Sequence, residues 1–180
     1  MINQKLEITN TRYKRLTMPD IFISIMGIIV GGWRKEGLSK MAKVKIIYWS
    51  GTGNTETMAD AVEVGAKGAG AEVDVLVAND FNSGKVAEYD GIAFGCPAMG
   101  AENLEESEFE PMFTEVEGSL SGKKIALFGS YGWGSGEWMA DWEERSKAAG
   151  AVLATDSVIC QEAPDDDAVE NCKKLGAALA

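Results

Sequence analysis

"KVKIIYWSGTGNTE", residues 43–56, is a β-branched and aromatic run that ends in a loop of small polar residues. The run over 43–49 is continuous, as expected of a strand buried on both faces. A helical pattern over 55–69 follows the loop. There Thr57, Met58, Ala61, Val62 and Gly65 share an apolar face, and "KGAGAE" supplies a glycine stop. Strand, glycine-rich loop and helix together open an α/β unit.

The loop is Ser50, Gly51, Thr52, Gly53, Asn54 and Thr55. Exposed amides at a helix start, together with the helix dipole, favour a phosphate. The hydroxyls of Ser50, Thr52 and Thr55 and the Asn54 amide add donors. The loop holds no Lys or Arg, and it matches neither G-x-x-x-x-G-K-[ST] nor G-x-G-x-x-G. Neutral donors suit a terminal monophosphate that is held but not transferred. The alternative at this point is a plain tight turn with a helix cap.

Working outward, the pattern repeats. Strands are expected over 72–78 (at or next to an edge), 91–97, 123–130 and 151–160. Helices are expected over 108–117, 136–149 and 165–180, with Asp165, Asp166 and Asp167 at the positive end of the last. This alternation predicts a doubly wound five-stranded parallel sheet with helices on both faces. The strand order is not readable from the sequence. Ligands of such sheets bind beyond the carboxyl ends of the strands, and two further loops there are unusual. "PAMGAENLEESEFE" places Met99 and Gly100 just after a strand, and Met can pack on a flat ring. Glu105, Glu106 and Glu108 behind them read as a solvated charged face. "GSYGWGSGEW" sets Tyr131 and Trp133 among glycines, which permit close approach to a ring. Trp138 and Trp142, at helical spacing, read as core.

The whole chain has 180 residues, a formal charge of −11 and no histidine. Residues 1–40 carry seven Lys/Arg against three acids, so −15 remains for residues 41–180. That acidity argues against nucleic acid and for partners with a basic face. Cys96, Cys160 and Cys172 form no C-x-x-C pair and, without histidine, no Cys-His set. They read as small apolar fillers in a reducing, cytoplasmic setting. The uncharged run at 21–33 is shorter than the ~20 residues of a membrane span. Lys35-Glu36-Gly37 can be encoded as a purine-rich ribosome-binding site upstream of Met41. Residues 1–40 are therefore expected to lie outside the fold, as a mis-called start or a disordered extension, and 41–180 to form the ligand-binding domain.

"YWSGTGNTE", "GCPAMGAE" and "LFGSYGWGSGEW" together, in this order and spacing, resemble the short-chain flavodoxins of anaerobic bacteria. The resemblance covers 41–180 and implies non-covalently bound FMN. It places the phosphate at Ser50, Gly51, Thr52, Gly53, Asn54 and Thr55. It places the isoalloxazine between Met99 and Trp133. Ala101 and Glu102 would offer backbone amides to the ring's polar edge, Ser130, Tyr131 and Gly132 would contact the ring edge or ribityl chain through backbone, and Pro97, Ala98 and Gly134 complete the implied cofactor-binding set. It implies that the Gly100–Ala101 peptide flips to offer the Gly100 carbonyl to N5 of the semiquinone, within a type II′ turn over 99–102. The implied function is low-potential one-electron carriage, cycling between semiquinone and hydroquinone as a monomer that meets redox partner proteins. The competing readings are a flavin-dependent NAD(P)H:quinone reductase and a phospho-signalling domain. For the first, Trp133 covers the face a nicotinamide would need. For the second, the end of the first strand lacks the acid cluster.

Overall fold

The computed structural model describes residues 40–180; the expectation that residues 1–40 form an extension outside the fold falls, but for Lys40, outside the described residues. Strand β1, Lys43–Tyr48, is central and is flanked by parallel partners on both sides, β2 (Glu72–Val77) and β3 (Gly91–Gly95). Its apolar residues divide between two cores. Val44 and Ile46 pack with Met58, Val62, Leu175 and Leu179, whereas Ile47 packs with Phe94, Phe113 and Trp142. The continuous apolar run is thus explained by burial on two faces, with helices over each. Lys45 is the one buried charged residue of the strand. Its ammonium lies 4.0 Å from Asp74 and 5.4 Å from the Tyr89 ring centroid, and burial lowers its pKa despite the Asp74 charge.

Helix α1 (Asn54–Gly68) follows the first loop and leads to β2, which is mostly exposed, as befits an edge. Two short 3-10 turns, Ala78–Asp80 and Ser83–Glu88, replace a helix before β3. Then come α2 (Phe109–Glu117), β4 (Lys124–Tyr131), α3 (Glu137–Ala148), two short strands, and α4 (Asp166–Leu179). The sheet runs β2-β1-β3-β4 with one further position outside β4. That position is filled in succession by β5 (Val152–Leu153) and β6 (Val158–Gln161), both paired parallel with β4. The expected continuous strand over 151–160 is therefore interrupted at 154–157. Thr155, Asp156 and Ser157 are turn formers, and the Ser157 hydroxyl donates to Glu143 of α3 at 2.6 Å. Asp165 caps α4, its carboxylate accepting from the Ala168 amide at 2.8 Å.

The chain leaves β1 for β2 on one side and returns to β3 on the other. The strand order thus reverses between β1 and β3, and the crevice opens at their carboxyl ends. There the Trp49 amide donates to the Gly95 carbonyl at 2.9 Å. All three cysteines are free. Cys96 and Cys172 are buried as expected, while Cys160 is half-buried. Burial pushes all three thiols up, Cys172 to about 12.

Candidate functional site

Ser50 closes the first loop on itself, its hydroxyl oxygen accepting from the Gly53 amide at 3.0 Å. Gly53 adopts φ +89, which turns the chain into α1 with no side-chain cap. Among the described residues, no hydrogen bond is formed by the amides of Thr52, Asn54 and Thr55. These free donors at the start of a 15-residue helix are the arrangement that holds an anion. The Thr55 hydroxyl is placed differently from the sequence expectation. Thr55 is 1% exposed, and its Oγ1 lies 3.2 Å from Ser130 Oγ, which ties the first loop to the end of β4.

The second loop is a hairpin over 99–103. The Met99 amide donates to the Asn103 carbonyl at 2.8 Å, and the Asn103 amide returns a bond to the Met99 carbonyl at 2.9 Å. The reversal is one residue longer than the expected four-residue turn over 99–102. Gly100 has φ +50 and Glu102 φ +53, so two residues are left-handed. The longer turn is pinned from outside. The Glu102 carboxylate accepts from the Ser135 amide at 2.6 Å and the Trp138 amide at 3.2 Å, at the entry to α3. A Cβ on Gly134 would sit 1.7 Å from Glu102 Oε1, so glycine there makes room for this clasp. Glu105 is likewise not on a solvated face. It is 6% exposed, and its carboxylate accepts from the Ser107 hydroxyl and from the amides of Ser107, Glu108 and Phe109, capping α2. Burial raises its pKa, but these four donors outweigh burial and hold it below the ordinary carboxylate value.

The third loop leaves β4 at Tyr131, whose ring lies 5.5 Å from Trp138. Trp138 and Trp142 are core, at 2% exposure each, and Trp133 stands out at 65%. The three loops enclose a recess of about 400 Å³. Of the residues singled out from sequence, it is lined by Gly51, Thr52 and Asn54, by Pro97, Ala98 and Met99, and by Ser130, Tyr131 and Gly132. Ser50, Gly53, Thr55, Gly100, Ala101, Glu102, Trp133 and Gly134 do not line it, and several of these shape the loops that do. Most of its lining surface is apolar, and the free amides lie in the first loop, so one end suits an anion and the rest a flat hydrophobic ring.

Two lining residues escape the sequence reading, Trp49 and Glu162. Trp49 passes for the last residue of a buried strand, yet a Cβ at Gly51 would lie 2.9 Å from its ring, so the loop is folded over the indole. Glu162 follows β6, has φ +57, and donates its amide to the Tyr131 carbonyl at 2.7 Å. Its signal was its place beyond the carboxyl end of a strand.

The flavodoxin family model matches residues 46–176. The chain is 50% identical to the flavodoxin of Megasphaera elsdenii and 47% identical to that of Clostridium beijerinckii. Each match spans 137 residues, 76% of this chain and 98% and 99% of those proteins. The solution structure of two-electron reduced Megasphaera elsdenii flavodoxin superposes with a TM-score of 0.70 at 52% identity, covering 76% of this chain and 97% of that one. A flavodoxin from the domain Archaea follows at 0.68 and 30% identity, covering 76% and 95%. Flavodoxins are electron-transfer proteins and not enzymes, which sets aside the quinone-reductase reading. The chain belongs to the flavodoxin family, the electron carriers whose cofactor is FMN.

Proposed function

We propose that residues 41–180 form a low-potential one-electron carrier whose FMN cycles between semiquinone and hydroquinone. The observation that carries this reading is the recess itself: free amides of a helix start at one end, Met99 and Tyr131 at the other. The amides of Thr52, Asn54 and Thr55 hold the phosphate, with Ser50 free to donate its proton while its oxygen accepts from Gly53. Met99, 37% exposed, packs against the inner ring face, and Trp133 covers the outer one. These two apolar side chains stay exposed in the protein alone, which is a cost that a bound ring removes. Gly100, already left-handed, supplies the peptide that reorients toward the reduced ring. The surplus of acids lowers the potential of the second electron and selects redox partners with basic docking faces. Monomeric, cytoplasmic operation completes the proposal.

The test is reconstitution. The FMN-free protein is titrated with FMN, riboflavin and inorganic phosphate. Tight one-to-one quenching of FMN fluorescence, weakened about a hundredfold or more for riboflavin, is expected from a phosphate held by three amides. Equal affinity for the two flavins would sink the assignment of the first loop.

A further inference from the structure

Trp49 is the first residue past β1, and two contacts fix it there. Its amide donates to the Gly95 carbonyl at 2.9 Å, which ties it to the end of β3, and its indole packs on the core that holds Ile47 and Phe94. Tyr48 before it packs on the other core, across the sheet, as strand alternation requires. The chain then doubles back over the indole. A Cβ on Gly51 would lie 2.9 Å from Cη2, 3.2 Å from Cζ3 and 3.9 Å from Cζ2, so its three nearest neighbours all belong to that ring. Gly51 is not left-handed, so the ring, and not the backbone angle, opposes a side chain there. The same indole lines the cofactor recess. The rest of the first loop is tied by hydrogen bonds. The Ser50 hydroxyl holds the Gly53 amide, the Gly53 carbonyl accepts from Thr57, and Thr55 meets Ser130. Between these ties Gly51 and Thr52 are exposed, and their main chain forms no hydrogen bond among the described residues.

We propose that Trp49 is a positioning residue of the phosphate loop: its indole fixes the Gly51–Thr52 segment from beneath and so sets the preference for a phosphorylated flavin over the bare one. Main-chain amides bind an anion well only when several point at one spot together. A segment without hydrogen bonds loses that alignment to chain entropy. A rigid ring in contact with the backbone restores it before the ligand arrives, which lowers the cost of binding. Glycine at position 51 is what lets the backbone come this close. Trp49 thus acts through the amides of the loop, beyond its share of the recess wall. The inference rests on the assignment of the recess to FMN and names the residue from which the phosphate end draws its selectivity.

Affinities of the flavin-free full chain for FMN and riboflavin test it, in the parent, Trp49→Phe, Trp49→Leu, Gly51→Ala and the double variant Trp49→Leu with Gly51→Ala. Trp49→Leu is expected to cut the ratio of FMN to riboflavin affinity about tenfold or more, the worth of one well-aimed bond to a charged group. Trp49→Phe keeps an aromatic ring and should recover most of that ratio. Gly51→Ala should lower the ratio in the parent, where its Cβ meets the indole. In the Trp49→Leu background it should change the ratio by less than about twofold, since only groups in contact depart from additivity. A purely structural role would weaken both flavins together and leave the ratio alone. Trp142→Phe, a core substitution outside the recess, is the control: a lower urea midpoint with an unchanged ratio is expected. A parental ratio in Trp49→Leu, or strict additivity of the two substitutions, overturns the inference. Should Trp49→Leu not fold, Gly51→Ala decides alone, and a ratio equal to the parent's overturns it. A parent that binds FMN and riboflavin alike would instead bring down the phosphate assignment of the loop itself, and the inference with it.

Discussion

Gly100 and Glu105 show how much can rest on one backbone angle or one carboxylate. At Gly100, φ is +50 and a Cβ would meet nothing within 4 Å, so a side chain there is opposed by the backbone and not by crowding. Left-handed geometry costs an L-residue about 1–2 kcal/mol, and about 1.4 kcal/mol of differential stabilisation is about 60 mV for one electron. Gly100→Thr should therefore keep FMN but lower the yield of the semiquinone in a redox titration; an unchanged yield would remove Gly100 from the switch. Glu105 is held below its ordinary pKa by the donors it caps, against the cost of burial. Its contribution is present above the unfolded value of about 4.3 and is lost as pH falls through the lower folded value. Glu105→Gln should cost about 1–2 kcal/mol at pH 7, as loss of a cap does. In urea melts, the gap from the parent should close on acidification below about pH 4. A gap independent of pH would show that the charge of the cap is irrelevant.

At the scale of elements, α1 and α4 cross at glycines. A Cβ on Gly65 would lie 1.9 Å from the Lys173 carbonyl, and one on Gly176 would lie 2.0 Å from that of Val62. Gly65→Ala should therefore destabilise by about 1–3 kcal/mol through overpacking. This runs against the ~1 kcal/mol by which helix propensity favours alanine; a raised melting temperature would refute the close crossing. Sequence made these helices legible, because glycine stops and apolar faces are local signals. It made the three loops legible for the same reason, since each follows a strand and two of them are rich in glycine. It did not reveal that the hairpin closes at Asn103. That register is fixed by Glu102 reaching across to Ser135 and Trp138, more than thirty residues away. The inward turn of Glu105 is not legible, because its burial depends on how α2 seats against the core, and "LEESEFE" carries no mark of which acid turns inward. The break in the fifth strand follows from Ser157 bonding to Glu143 on α3, a tertiary contact that turn propensity only hints at.

For the whole molecule, charge is the property with consequences beyond any one element. An excess of −15 over residues 41–180 makes each added electron harder to hold and draws in basic surfaces. Exposed charges are screened over about 10 Å at 0.1 M salt. Electron transfer to a basic partner should thus slow progressively as salt rises from 10 to several hundred millimolar, at unchanged driving force; a rate indifferent to salt would contradict steering. The measurement that reaches the central claim most directly is the visible spectrum of the FMN-loaded protein during stepwise anaerobic reduction. The account predicts two resolved one-electron steps, through a neutral blue semiquinone to the hydroquinone. Bound flavin that passes straight to the two-electron reduced form would contradict it, and with it the role given to the Met99–Gly100 turn.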